Sequence, residues 1–406
     1  MSEPLRYRGL LRQPNFAQLW LGQSASLLGD SAARVAVPVL AVAITGSPAV
    51  LGVAFAVQAL PWFLVSPFAG LLADSVDRRR VVRLALLAEA GVVAAMSVAD
   101  TVWLLLVLVF AAGCLQVVQM PARAGALPAM LGRYLPLGAG LTAATIQVTD
   151  VAGQAVAGLA LIEISARTIL LIDAVTFVIF AFAVPPLPNA TGAAAPTDSF
   201  LRRLTAGART GWGTPALRRL VSAMIVRGAT VTAALSLLYA LVAEQDLGPT
   251  GFGLVSAAFT AALVVGSLVT GRVVAQRAPE PLLLITTALA ALVLLPIGFD
   301  IPLWAATGVL VIAGVLYAPG NVIANAEIAR LAPEPVRGQV VSAAWSLIKV
   351  GQVVGGLLVA GLVGTLGAGR TIAVSAALLL VSTTLLWILS GRNSPDRPVA
   401  TARRSH

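Results

Sequence analysis

The sequence is poor in charged residues and contains almost no histidine or cysteine. Charged residues make up 11% of its 406 residues, whereas about a quarter of a soluble protein is charged. Hydrophobic residues make up 58%. So little polar surface cannot cover a soluble globule, and so hydrophobic a chain does not stay disordered. The composition therefore predicts an integral membrane protein whose apolar side chains face lipid.

The scarcity of histidine and cysteine excludes several chemistries. The single histidine is the last residue, His406, and the single cysteine, Cys114, lies inside an apolar run. An internal disulfide, a cysteine metal cluster and a histidine proton relay are therefore excluded. The sequence also lacks a phosphate-binding loop of the form G-x-x-x-x-G-K-S/T, which argues against ATP hydrolysis. We expect no catalytic residue, no metal and no cofactor, so that the chain is not an enzyme.

Long apolar runs recur along the chain, with short polar breaks between them. Most exceed the roughly 20 residues that cross a bilayer, and a proline inside such a run kinks a membrane helix without ending it. The chain is expected to be all-α, with twelve membrane-spanning helices at about 15–44, 49–73, 80–99, 102–121, 135–162, 167–186, 216–243, 250–275, 281–299, 302–329, 336–365 and 369–391.

The basic residues indicate the orientation of these spans. The net charge of +10 would by itself also fit a nucleic-acid-binding protein. With the N-terminus inside, however, 22 of the 27 basic residues fall in cytoplasmic segments, only Arg167 and Arg370 fall outside, and the other three, Arg34, Arg227 and Lys349, lie within spans. This asymmetry is typical of membrane topology. We expect both termini in the cytoplasm, a location in the plasma (inner) membrane with the lipid bilayer as partner, and no nucleic-acid binding.

The longest polar break divides the chain into two halves of six spans each. It is rich in proline, alanine, threonine and glycine, which is typical of a linker. We expect an N-terminal bundle over 1–185, a cytoplasmic linker that can carry an interfacial helix over 186–215, a C-terminal bundle over 216–391 and a cytoplasmic tail over 392–406.

The two halves also resemble each other. Residues 152–159 (AGQAVAGL) in the fifth span match residues 350–357 (VGQVVGGL) in the eleventh, at an offset of 198 residues. Chance similarity among helices rich in alanine and glycine is the alternative. Duplicated six-span halves are typical of secondary transporters, which bind their solute between the halves near the middle of the membrane.

A specific motif lies between the second and third spans, where residues 70–80 read GLLADSVDRRR. Gly70 permits close helix approach, and Asp74 can accept hydrogen bonds from a helix N-terminus or an arginine. The segment resembles the signature G-x-L-A-D-x-x-(G/D)-R-(R/K) of the major facilitator superfamily. The resemblance implies a gate formed by Gly70, Asp74, Arg78 and Arg79, and a loop that only fixes topology is the alternative.

The resemblance covers the whole chain and is strongest to a drug-efflux branch that includes macrolide exporters. Gly29-Asp30 followed by Arg34 is similar to the first span of that branch, and residues 171–177 (LIDAVTF) are similar to its sixth. The resemblance implies the major facilitator fold, with two pseudo-symmetric six-helix bundles. One departure is Gln154, which stands where antiporters of the superfamily often carry proline.

The resemblance further implies that spans 1, 4, 7 and 10 line a central cavity. Polar residues in these spans are candidates for substrate contact, and Arg227 could contact an anionic substrate or neutralise Asp30. Lys349 in the eleventh span has no obvious partner.

An intramembrane enzyme would need its polar residues clustered in one half, whereas here both halves contain them. The cavity candidates are Gln23, Gln116, Gln119, Arg227, Asn321 and Asn325.

Acidic residues within the spans are candidates for proton coupling, because a charge inside a membrane is costly and indicates function. Asp30 is the first candidate and Asp150 the second. Arg34 lies one helical turn after Asp30 on the same face and can pair with it. A static Asp30–Arg34 pair is the alternative. Glu89, Asp173 and Glu327 lie nearer the span ends, where a solvated or capping role is as good an interpretation as a functional one.

The sequence thus predicts a monomeric, proton-coupled secondary transporter that exports lipophilic or cationic small molecules by alternating access. Such a multidrug-type antiporter would confer antibiotic resistance and use the proton gradient as its energy source. An exporter or flippase of a lipid or endogenous metabolite, or a solute uptake symporter, stays open as an alternative.

Overall fold

The computed structural model describes residues 7–65, 77–188, 209, 213–243, 248–274, 279–331 and 337–392. Within these ranges the chain is helical and contains no β-strand. A short helix, Tyr7–Leu11, precedes twelve longer ones: α1 Pro14–Thr45, α2 Ala49–Leu64, α3 Arg78–Ser97, α4 Val102–Leu131, α5 Leu135–Ala160, α6 Ala166–Ala183, α7 Pro215–Ala243, α8 Gly248–Val274, α9 Pro279–Leu294, α10 Leu303–Leu331, α11 Arg337–Leu366 and α12 Ala368–Arg392.

These twelve helices coincide with the twelve predicted spans, most of them within a few residues at each end, while the predicted end of the second span at residue 73 lies outside the described residues. The main difference among the described residues is α4, which continues to Leu131, past the predicted end at residue 121. It passes through Pro121 and Pro128. Neighbouring helices can satisfy the carbonyl groups that a proline frees inside a membrane protein, so proline does not mark the end of this helix.

The length and the surface of the helices fit a lipid bilayer. Eight helices in the described ranges are long and apolar enough to cross a membrane. The most exposed large apolar side chains are Trp103, Phe299 and Trp304, at 76%, 81% and 79%. All three lie at helix ends on the predicted extracellular side, where aromatic residues anchor a protein at the membrane interface. The chain is therefore a multi-pass membrane protein.

The helices pack as two groups that follow the order of the chain. In the first group α1 contacts α5 and α6, and α3 contacts α4 and α6. In the second group α7 contacts α11 and α12, and α8 contacts α10. The groups meet along two helix pairs, α2 with α11 and α5 with α8. Because α8 and α11 are the second-half equivalents of α2 and α5, the two pairs are related by pseudo-twofold symmetry.

Repeated glycines set the close approach of helices within each group. A Cβ added to Gly153 on α5 would lie 2.5 Å from the Ser31 Cβ on α1. A Cβ added to Gly351 on α11 would lie 2.3 Å from the Ile225 carbonyl oxygen on α7. Glycine is the only residue that permits such an approach. The glycines matched in sequence therefore serve the same packing purpose in both halves.

A second pair of repeated glycines forms the contact between the groups. A Cβ on Gly158 of α5 would lie 2.7 Å from the Gly253 Cα of α8. A Cβ on Gly356 of α11 would lie 2.5 Å from the Gly52 carbonyl oxygen of α2. Gly52, Gly158 and Gly253 lie within two turns of helix ends that the topology places on one side of the membrane. The two groups are thus in backbone contact toward the predicted extracellular side.

Candidate functional site

Polar side chains from four helices of the first group meet in its interior. Asp30 comes from α1, Glu89 from α3, Gln119 and Arg123 from α4, and Asp173 from α6. Glu89, Gln119 and Asp173 are only 2%, 2% and 1% exposed. Burying charged groups to this extent is costly unless they are paired or serve a function. We refer to these five residues as the acidic cluster.

Glu89 and Gln119 form a direct hydrogen bond inside the acidic cluster. Gln119 Nε2 donates to Glu89 Oε2 over 2.5 Å. The other amide atom, Gln119 Oε1, is buried and has no hydrogen-bond partner among the described residues. An unpartnered buried acceptor is uncommon and calls for an explanation. Glu89 also interacts electrostatically with Asp30, Asp173 and Arg123, so it lies at the centre of the cluster.

Asp173 lies close to α1 because Gly29, the residue that it faces there, has no side chain. A Cβ on Gly29 would lie 2.2 Å from Asp173 Oδ1 and 2.8 Å from Thr176 Oγ1. Thr176 Oγ1 lies 3.3 Å from Asp173 Oδ1 and can donate a hydrogen bond to it. Gly29 therefore makes the space that lets a buried carboxyl group of α6 lie beside Asp30.

Asp30 lies among both acidic and basic groups. It interacts electrostatically with Arg34, Arg123 and Asp150. Arg123 is also placed over the Phe180 ring, with its Cζ 5.8 Å from the ring centroid. Within the described ranges, no ion pair joins Asp30 to either arginine. Asp30 is thus the acid of this site that has basic neighbours but no fixed partner.

The partner of Arg34 is Asp150, which differs from the pair expected with Asp30. Arg34 Nη2 donates to Asp150 Oδ1 and, over 2.8 Å, to Ser31 Oγ. Ser31 Oγ lies 2.9 Å from Asp150 Oδ1. The close approach of α5 to α1 at Gly153 brings Asp150 within reach of Arg34. The first and second candidates for coupling, Asp30 and Asp150, therefore flank one arginine.

The basic residues of the second half contact aromatic rings. Arg227 on α7 donates to the backbone carbonyl of Tyr317 on α10, and its Cζ lies 5.1 Å from the centroid of the Tyr317 ring. Lys349 on α11 lies over the Trp62 ring of α2, with Nζ 5.3 Å from the centroid. Arg227 is thus placed against α10, while the basic neighbours of Asp30 are Arg34 and Arg123. Lys349 has a cation–π partner across the interface between the groups.

The gate motif falls partly outside the described residues, because Gly70 and Asp74 are not among them. Arg78 Nη1 donates to the Pro188 carbonyl and Arg79 Nε donates to the Val184 carbonyl, each over 3.1 Å. These carbonyls follow the C-terminal end of α6, where cations are favoured by the helix dipole. Both arginines therefore connect the start of α3 to the end of α6 in the same half.

The cavity candidates are placed differently from one another. Gln23 and Gln116 are half-buried, whereas Gln119 is buried in the acidic cluster and bonds to Glu89. The side chains of Asn321 and Asn325 lie outside the described part of the chain. Gln154 joins the two groups, since its Oε1 accepts a hydrogen bond from Thr260 Oγ1 of α8 over 3.2 Å.

Comparison with known proteins identifies the family. The sequence matches the family described as transmembrane secretion effector, a branch of the major facilitator superfamily, over residues 9–397. The chain belongs to the major facilitator superfamily. The family resemblance expected from the sequence is thereby confirmed, and so is the fold of two pseudo-symmetric six-helix bundles.

Relatives of this transporter include an efflux pump and carriers of other solutes. The multidrug efflux pump Tap of Mycolicibacterium fortuitum is 27% identical over 401 residues, which cover 94% of this chain and 96% of the pump. A mutant of the nucleoside transporter NupG superposes with a TM-score of 0.79 at 11% identity, covering 92% of this chain and 99% of that one. A bacterial homologue of the lysosomal transporter Spinster, inward-facing and occupied, gives 0.74 at 14% identity, covering 98% and 100%.

The solvated alternative that the sequence left open for Glu89 and Asp173 of the transporter is wrong. Both are among the most buried polar residues. The signal that could have found them is the spacing of buried residues. On α3 the stripe is Val82, Leu86, Glu89, Val93 and Met96; on α6 it is Ala166, Leu170, Asp173, Phe177 and Phe180. In both helices these residues are spaced alternately four and three apart, and the acid is the third of the five. This spacing is typical of the helix face that turns toward the core.

Proposed function

We propose that this transporter is a proton-coupled exporter of lipophilic or cationic small molecules that works by alternating access. Its membership of the major facilitator superfamily and its similarity to a multidrug efflux pump support export as the direction of transport. We further propose that it works as a monomer in the plasma (inner) membrane, with both termini in the cytoplasm and the proton gradient as its energy source.

The observation that carries the proposal is the excess of carboxyl groups, two of them fully buried, in the N-terminal bundle. Asp30, Glu89, Asp150 and Asp173 lie in one electrostatic neighbourhood, and among the described residues Arg34 and Arg123 are the basic groups that balance them. Leaving charge uncompensated inside a membrane protein is costly. Binding and release of protons at these carboxyl groups changes that balance, and a cationic substrate competes for the same negative charge. Asp30 is the primary coupling residue in this scheme, with Asp150 and Arg34 as its neighbours.

Alternating access is supported by the way the two bundles meet. Their backbone contacts at Gly52–Gly356 and Gly158–Gly253 lie toward the predicted extracellular side, and we propose that the opposite side is the one that opens in this state. The motif that contains Asp74 and Arg78 lies on that opposite side. We propose that it stabilises the reverse state, so that Asp74→Ala shifts the balance between the two states.

A host that lacks its own efflux pumps provides the test. Cells that express the transporter should accumulate less ethidium and tolerate more of several lipophilic antibiotics than cells expressing the Asp30→Asn variant. Equal accumulation for every compound tested, with both proteins present in the membrane, would reject drug export. It would favour a lipid or endogenous metabolite as cargo, and increased uptake of a solute would favour a symporter.

A further inference from the structure

The Glu89–Gln119 pair is the part of the acidic cluster to which the proposed function assigns no individual role. Glu89 is in the middle of α3, and Gln119 reaches it from α4. Three charged groups face Glu89 from the helices packed around it: Asp30 from α1, Arg123 from α4 and Asp173 from α6. Two of these three are acids and one is basic, so the groups that face Glu89 carry more negative than positive charge.

Resting on the proposed proton coupling, we infer that Glu89 is a proton-binding residue of the transport cycle and that Gln119 positions it in both protonation states. When Glu89 is ionised, Gln119 Nε2 donates to Oε2, as observed. When a proton supplied by the gradient binds to Oε2, the amide turns by half a rotation. The Nε2–Oε2 hydrogen bond is then lost, and the new O–H group donates to Gln119 Oε1 instead. The O–H bond is the one covalent bond that forms, and it breaks again when the proton is released.

The unpartnered amide oxygen is the observation that supports this exchange. Gln119 Oε1 is buried and accepts no hydrogen bond from the described residues. Gln119 Oε1 would find a donor if the carboxyl group of Glu89 is protonated in another state of the cycle. The terminal torsion of a glutamine has broad, roughly twofold preferences, so the rotation itself costs little. The amide therefore suits both forms of Glu89 equally well.

A proton fits the cluster better than a metal cation does. Among the described residues, no three His, Cys, Asp or Glu side chains are arranged so that they could hold a metal ion. Hard cations need several oxygen ligands at short range, whereas a proton needs one carboxyl oxygen and one acceptor. Glu89 and Gln119 supply that pair.

The experiment uses the full-length transporter in proteoliposomes, with ethidium as the probe. We expect Glu89→Gln to lose ethidium transport driven by a pH gradient while ethidium binding persists. Calorimetry in buffers of different ionisation enthalpy should show about one proton fewer released per ethidium bound. Glu163→Gln is the matched control, since Glu163 is exposed in the turn before α6 and should behave as the unmodified protein.

Gln119→Leu keeps the inference testable if Glu89→Gln does not fold. It should shift the pH profile of ethidium binding, whereas Gln58→Leu on the exposed side of α2 should not. Normal gradient-driven transport by Glu89→Gln, or an unchanged pH profile in Gln119→Leu, would overturn the inference. Transport driven by a sodium gradient alone and lost in Glu89→Gln would assign the site to a cation instead. If the unmodified protein ignores the pH gradient, it is the proposed function that fails.

Discussion

At the scale of single residues, the N-terminal bundle combines costly buried charge with few direct pairings. Arg34 and Asp150 form an ion pair, Glu89 is bonded to an uncharged amide, and Asp30 has basic neighbours without a fixed bond. A purely structural network would be fully paired, because unpaired buried charge destabilises a fold. The incomplete pairing therefore indicates groups whose charge changes during function.

The Arg34–Asp150 pair should show measurable coupling. Arg34 is 43% exposed and Asp150 17%, so solvent weakens the pair and we expect a coupling of about 1 kcal/mol. The variants Arg34→Gln, Asp150→Asn and the double variant should be compared by thermal unfolding in detergent. The double variant should lose less stability than the sum of the two single ones. Strict additivity would mean that the pair contributes nothing.

The contact between Gly29 and Asp173 should be sensitive to a single methyl group. Gly29→Ala places a Cβ 2.2 Å from Asp173 Oδ1, and such overpacking costs about 1–3 kcal/mol. Gly91→Ala on α3 is the control, because nothing lies within 4 Å of its added Cβ. Thermal unfolding should separate the two variants. Equal stability would show that Asp173 moves away without cost.

The sequence predicted which residue types matter at this scale but not their partners. Spacing along α1 placed Asp30 and Arg34 on one face, yet the partner of Arg34 comes from α5. Glu89 and Asp173 are buried because they lie on the faces of α3 and α6 that turn toward the core. The position of a residue along a span does not show which face of the helix it occupies. Gln119, expected in the substrate cavity, is hydrogen-bonded to Glu89 inside the bundle, and its contact with substrate stays a prediction.

At the scale of helices, prediction from the sequence was close. Hydrophobic length fixes where a membrane helix begins and ends, because backbone groups must be satisfied inside lipid. The exception is α4, where Pro121 and Pro128 did not end the helix. The predicted boundaries of the two bundles and the linker stay a prediction, since residues 189–208 and 210–212 lie outside the described part of the chain.

The stability of the junction between α3 and α6 should depend on Arg79 more than on Arg80. Arg79 binds the Val184 carbonyl at the end of α6, and a cation at such a site contributes about 0.3–1 kcal/mol. Arg79→Gln should therefore lower the unfolding temperature in detergent, while Arg80→Gln, at an exposed position, should not. Equal effects of the two changes would exclude a specific role for the carbonyl contact.

At the scale of the whole molecule, the repeat gives the two bundles a symmetric interface, which fits the proposed alternating access. The α2–α11 and α5–α8 pairs are symmetry-related, and each contains a crossing of two glycines. At these crossings backbone lies against backbone, and in the proposed alternating access the two bundles would separate and close again there. The same glycines were visible in the sequence as a repeat, but their partners on α2 and α8 were not, since Gly52 and Gly253 do not match at the repeat offset.

The Gly52–Gly356 crossing should hold the predicted extracellular side closed. In a Cys114→Ala background, Gly356→Val should force α2 and α11 apart, because its Cβ would lie 2.5 Å from the Gly52 carbonyl oxygen. Labelling of an introduced cysteine, Ala56→Cys, by an impermeant maleimide should then rise several-fold. Gly361→Val on α11 is the control, with nothing within 4 Å of its Cβ. Equal labelling in both variants would place the closure elsewhere.

Gradient-driven transport in proteoliposomes tests the central claim of proton coupling through the N-terminal bundle most directly. The measurement is the rate of ethidium transport by the purified protein with and without an imposed pH gradient, compared with Asp30→Asn and the Glu163→Gln control. We predict that the gradient accelerates transport by the unmodified protein and by Glu163→Gln. Asp30→Asn should bind ethidium but show no response to the gradient. Equal rates with and without the gradient in the unmodified protein, or an undiminished response in Asp30→Asn, would contradict the account.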